Sequence, residues 1–172
     1  MWRTIVDEAS SESRLWQQAL RPEDERDLVA IFSPLGDPRF ALGLETIYEG
    51  YLVHYGVPRL FAPPDADSAL LLGDYLYAHG LVRIAAAGDV SAVADFSELI
   101  SLCGQLRAED AAGDGPLWAA TAALLGDGSR LEGPRAELRL RGDPGALETA
   151  ARDAAGDEAV AHALAAHELR VQ

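Results

Sequence analysis

Few side chains in this sequence are placed to do chemistry, and each also admits a plain structural use. His54 has no Ser, Cys or second His close to it in the chain, so it reads as an acid or base only in isolation, or as a helix-end histidine bonded to backbone. Arg59 carries the planar fork that pairs with a diphosphate or with a partner's carboxylate, and it equally suits a solvated helix end. Asp74 interrupts an apolar run, and a carboxylate buried there needs a cation such as Arg83 or Arg107. Tyr48, Tyr51, Tyr55, Tyr75 and Tyr77 fall on two consecutive helical segments, where they can wall an apolar cavity or fill a core. His162 and His167 are five apart, off the i, i+4 spacing that puts two imidazoles on one helix face, so no metal site is expected there. Cys103, the single cysteine, lies between Leu102 and Leu106 and is expected to be a buried thiol.

The elements that hold these residues read as helices. Leu15, Ala19 and Leu20 define a short N-terminal helix with Ser11 or Ser13 as its cap. Pro22, Glu23, Asp24 and Glu25 open a second that runs to about Phe32, because acids favour the positive helix start. A third, 40–55, carries Leu44, Ile47, Tyr51 and Leu52 at helical spacing and stops at Gly56 and Pro58. A fourth, 67–87, is apolar nearly all round, which marks a central helix. A fifth spans 91–111 and a sixth 117–125. Residues 126–145, rich in Gly, Pro and Arg, read as loop with at most one short helix. Residues 146–169 read as one alanine-rich C-terminal helix, with Asp153, Asp157 and Glu158 on its solvated face. No strand pattern is present, so the expectation is an all-α antiparallel bundle: one domain, 1–172, with its core at about 39–125.

The chain has 172 residues, 28 acidic against 14 basic, and every basic residue is arginine. A net charge of -14 argues against nucleic acid or an anionic membrane as the main partner; Arg135, Arg139 and Arg141 form the only local basic cluster. No apolar run approaches the ~20 residues that span a bilayer, and the start lacks the apolar core of a signal peptide. A cytoplasmic location without a membrane span is the expectation.

Four segments carry a resemblance. Glu45, Ile47, Leu52 and His54 match a helix that leads into an aspartate-rich motif. Leu72, Gly73, Asp74 and Ala78 match a helix reading leucine, Gly-Asp, apolar, alanine. Gly104 and Gln105 end the next helix in a Gly-Gln step, and Ala120, Thr121 and Ala122 parallel a Lys-Thr-Ala element. Over roughly 40–125 the chain thus resembles the trans-polyprenyl diphosphate synthases, which implies a truncated isoprenoid synthase fold of the all-α terpenoid synthase kind.

The departures are chemical. In that family, aspartates at i and i+4 clamp Mg²⁺ against a diphosphate; here the motif positions read Tyr55, Gly56 and Arg59. The loop from Arg59 to Asp74 is shortened, Ala120 replaces the lysine, and 126–145 offers only Asp127 and Asp143 in place of the second motif. No metal ligand and no cofactor are expected, Mg²⁺ belonging only to a catalytic partner. The resemblance then implies a non-catalytic, chain-length-influencing subunit that forms a homodimer or a heteromer with a polyprenyl diphosphate synthase, meeting it through the fourth and fifth helices. Tyr48, Tyr51, Leu52, Tyr55, Arg59, Asp74, Tyr75 and Gln105 are the residues the resemblance puts at a substrate or cavity wall. Two alternatives stand beside it: a prenyl-lipid-binding module or residual prenyltransferase that keeps the cavity, and an unrelated helical interaction domain.

Overall fold

The computed structural model describes residues 1–171, all helical and irregular, with no strand among them beyond one antiparallel bridge between Leu20 and Phe61. Helices α1 (Trp2–Glu12) and α2 (Arg14–Gln18) form the N-terminal block, and Ser13 caps α2 by accepting from the Leu15 amide. Then follow α3 (Ala41–Tyr55), α4 (Ala66–Ala86) and α5 (Val90–Ala108). Asp65 and Asp89 start α4 and α5 by accepting from amides of the first turn.

The α3–α4 hairpin is the centre of the molecule, and small residues let its backbones meet. A Cβ at Gly50 would lie 2.9 Å from the Gly73 carbonyl oxygen, and one at Gly80 would lie 2.2 Å from Ile47 Cγ1. Gly43 faces Gly80 and Ile84 while Gly50 faces Gly73 and Leu76, so the two helices run antiparallel. Two apolar cores flank the hairpin. The larger takes Leu44, Ile47 and Tyr48 of α3 with Phe96, Leu99 and Cys103 of α5, and continues well past Leu125 through Leu131, Leu147 and Val160. The smaller joins Ile5, Ala9 and Trp16 to Leu72 and Leu76 of α4. The core is therefore not confined to 39–125.

Four sequence expectations are corrected. Residues 22–32 form only a single 3-10 turn, Glu23–Glu25. Their backbone is drawn away by the segment after α3, with the Arg21 amide donating to Leu60 O and the Asp27 amide to Arg59 O. The loop expected at 126–145 is mostly helix α7 (Gly128–Arg141), with Pro134 inside it and Gly142 in the left-handed conformation at its end. Leu131, Arg135 and Leu138 form its buried stripe, with a guanidinium where a hydrophobe would be expected. Arg135 donates to Asp95 Oδ1 at 2.9 Å, and Asp95 Oδ2 accepts the Gly126 amide at 3.0 Å. The C-terminal helix is two, α8 (Gly145–Ala155) and α9 (Asp157–Glu168), broken where Gly156 takes φ +90°. Between α5 and α7, helix α6 (Asp114–Ala123) begins three residues earlier than expected, because Pro116 sits in its first turn where no intrahelical amide is needed. Cys103 is buried, as expected.

Candidate functional site

Glu45 and Glu49, the two acidic residues of α3, are one turn apart, so both carboxylates enter the interior together. Arg59 answers them. It is fully buried, not a solvated helix cap, and every nitrogen of its fork is bonded: Nη1 reaches Glu45 Oε2 at 2.6 Å, Nε reaches Glu49 Oε2 at 3.0 Å, Nη1 also donates to Val29 O at 2.9 Å, and Nη2 donates to Glu45 O at 3.2 Å. The second oxygens serve backbone, Glu45 Oε1 accepting from Ser33 and Glu49 Oε1 from Arg59 and Leu60. The Trp2 and Tyr48 rings lie 4.7 and 5.0 Å from the guanidinium carbon. Burial alone would depress the guanidinium's pKa, but Glu49 and Glu45 outweigh it and hold it above its ordinary value. With four of its five N–H donors engaged and its side chain closed off from solvent, it presents nothing to a diphosphate. The i, i+4 acidic pair on α3 was the readable signal for this cation, and Glu49 was the residue that sequence reasoning missed.

His54 and Asp74 meet across the hairpin, with Nε2 to Oδ1 at 3.3 Å. The expected arrangement is reversed. Asp74 is not buried among apolar residues; 65% of its side chain is exposed, and its partner is His54 rather than Arg83 or Arg107. Gly73 makes the contact possible, since a Cβ there would lie 2.3 Å from His54 Nε2. The imidazole rests against Tyr55 and Tyr77, and burial pulls its pKa below the ordinary value while Asp74 works the other way.

A third group collects at the other face of α3. Asp114, first residue of α6, accepts through Oδ2 from the Tyr51 hydroxyl, from Arg107 and, at 3.3 Å, from His167 Nε2. Arg107 also donates to the Tyr51 oxygen at 2.7 Å, and the Tyr48 hydroxyl lies 2.9 Å from His167 Nδ1. A neutral imidazole with its proton on Nε2 satisfies both neighbours. Burial would raise the Asp114 carboxyl, yet the hydrogen bonds from His167 and Tyr51 hold it well below the ordinary range. Burial likewise pushes the Tyr48 and Tyr51 phenols up. A cleft of about 320 Å³ opens beside Asp114 and His167, but both imidazole nitrogens are already engaged, so the group ties α3, α5, α6 and α9 together. Nothing in the sequence spacing announced it: Tyr48 and His167 are 119 residues apart.

The five tyrosines do not wall one cavity. Tyr48, Tyr51 and Leu52 are fully buried, and Tyr48 and Tyr51 pack on Trp118 and His167. Tyr55 is partly exposed against Tyr51, and Tyr77 borders the larger core. Tyr75 turns to the smaller core, against Trp16 and His79. Gln105 is exposed and donates to Glu109, just past the end of α5. Among the described residues no group of three or more His, Cys, Asp or Glu is arranged to hold a metal ion, and no helix is long and apolar enough to cross a membrane. No protein-family profile, no curated protein and no solved structure matches the chain.

Proposed function

We propose that this chain is a non-catalytic, polyprenyl-synthase-like subunit that pairs through the outer faces of α4 and α5, with a second copy or with a catalytic prenyltransferase whose product length it influences. One observation carries the reading: the character of that face. Leu70, Leu71, Ala78, Val82 and Ala85 are exposed along α4, and Asp74 is the only charged residue among the exposed positions from Leu70 to Ala86. On α5, Ala94, Ser97, Ser101 and Gln105 are exposed as well. In a chain of net charge -14, so long a strip carrying a single charge is the kind of surface that protein partners cover.

Two features of the hairpin support the rest of the reading. The antiparallel α3–α4 pair is the arrangement the resemblance requires. The carboxylates of α3 are consumed by Arg59, so metal-assisted ionisation of a diphosphate would fall to the partner. The test is to sediment the purified chain alone and with a polyprenyl diphosphate synthase from the same cell, then to compare product lengths. A dimer or a mixed complex is expected, and Val82→Arg, at an exposed position, should break it. A monomer that binds no synthase and leaves its products unchanged refutes the proposal. Mg²⁺-dependent stabilisation of the isolated chain by a prenyl diphosphate would refute its non-catalytic part.

A further inference from the structure

We propose a second, independent contact of this protein with itself: Leu140 at the end of α7 seats in the cleft at the α8–α9 break of another copy. The cleft, about 720 Å³, lies between residues 30–35 and the Gly156 break. Ile31, Leu35, Ala155 and Ala159 give it apolar lining, and Asp157 and Glu158 line it too. An apolar side chain free to enter it is on the same molecule. Leu140 is 81% exposed, a leucine held out from a helix with Arg139 and Arg141 on either side.

The chemistries match as a pair. An apolar knob meets an apolar lining, and two guanidiniums meet two carboxylates, whereas elsewhere an excess of 14 negative charges makes copies repel. Present partners do not prevent it: Arg141 pairs with Glu137 at 3.3 Å, Arg139 with Glu98, and Asp157 with Arg152 at 3.5 Å. These are surface pairs of small worth, readily exchanged. The knob cannot fill its own cleft, because it precedes α8 while the cleft lies past the other end of α8, whose 11 residues span about 16 Å. Each contact uses the knob of one copy and the cleft of the next, so the association is head to tail.

The test uses the full chain in a Val82→Arg background, which removes any contribution from the α4–α5 face. Sedimentation velocity from about 10 µM to about 1 mM should show an average mass that rises with concentration and falls with added salt. Leu140→Asp and Ala159→Arg, both at exposed positions, should leave the melting temperature unchanged and each weaken the association at least about tenfold. Mixed in equal amounts, the two variants should form a heterodimer and stop there, since one keeps its cleft and the other its knob. A constant mass across the range overturns the proposal. So does a mixture that associates no more than either variant alone. Neither result bears on pairing through α4 and α5.

Discussion

Replacing Arg59 with methionine removes the only cation that Glu45 and Glu49 contact, while leaving apolar bulk in its place. Both carboxylates are fully buried, so each would keep its desolvation penalty and lose its counter-charge. Breaking a buried pair by deleting one partner costs about 3–5 kcal/mol, a large share of the roughly 5–15 kcal/mol that stabilises an ordinary domain. At roughly 2–4 °C per kcal/mol for a chain of this size, the melting temperature should fall by about 6–20 °C. The pH dependence makes the test sharper. Without the guanidinium, burial and mutual repulsion raise both carboxyls above their unfolded value of about 4.3, so the variant's deficit grows as pH rises through that value and shrinks as pH falls. Its melting temperature should therefore climb between about pH 8 and pH 5. The wild-type protein should not climb, because the shifted group whose ordinary value lies in that window, His54, is depressed by burial and so loses stability as pH falls through that value. Calorimetry across that range reads both. Adding Glu45→Gln and Glu49→Gln keeps the acceptors that Ser33 and Leu60 need, and should recover part of the loss. A deficit below about 1 kcal/mol, or a pH slope identical to that of the wild type, would refute this account of the buried triad.

Arg135→Met should free α7 from Asp95 at a cost of about 3–5 kcal/mol, seen as selective loss of amide protection across 128–141 in hydrogen exchange. Gly73→Ala should push the His54 ring off the hairpin, and its NMR titration should move up toward the ordinary value of 6.5 because the depressing burial is gone. Wild-type stability should fall as pH drops below the ordinary carboxyl value of 3.8, since the unfolded Asp114 takes a proton that the folded one resists; Asp114→Asn should flatten that acid limb. His167→Ala should cost about 2–4 kcal/mol and raise exchange in α9 more than in α4, because it removes the bonds to Tyr48 and Asp114 together.

The hairpin and α5 were legible because their apolar spacing, their Asp caps and their terminating residues agree with one another. Helix α7 was hidden by Pro134 and by glycines that resemble a loop, and its stripe contains an arginine that becomes interior only through Asp95, 40 residues away. Residues 22–32 misled in the other direction. Their proline and acids imitate a helix start, yet exposed Leu28 and Val29 offer no buried stripe, and the backbone pairs with 59–60 instead. Asp74 looked interior because its neighbours are apolar, and it lies outside because those neighbours, Leu71 and Val82 among them, are exposed as well. Periodicity reports that a residue shares a face with apolar neighbours; it does not report which face the rest of the chain covers.

The bonds of Arg59 also imply an order of assembly. Its contacts to Glu49 and Glu45 close loops of only 10 and 14 residues, whereas the Tyr48–His167 bond closes one of 119. Loop-closure entropy grows with length, so the α3 turn with its internal cation can form while the C-terminal third is still unstructured. Helices α8 and α9 then dock onto a hairpin already made. In a kinetic experiment, substitutions in the Arg59 triad should slow folding, and substitutions at His167 should mainly speed unfolding.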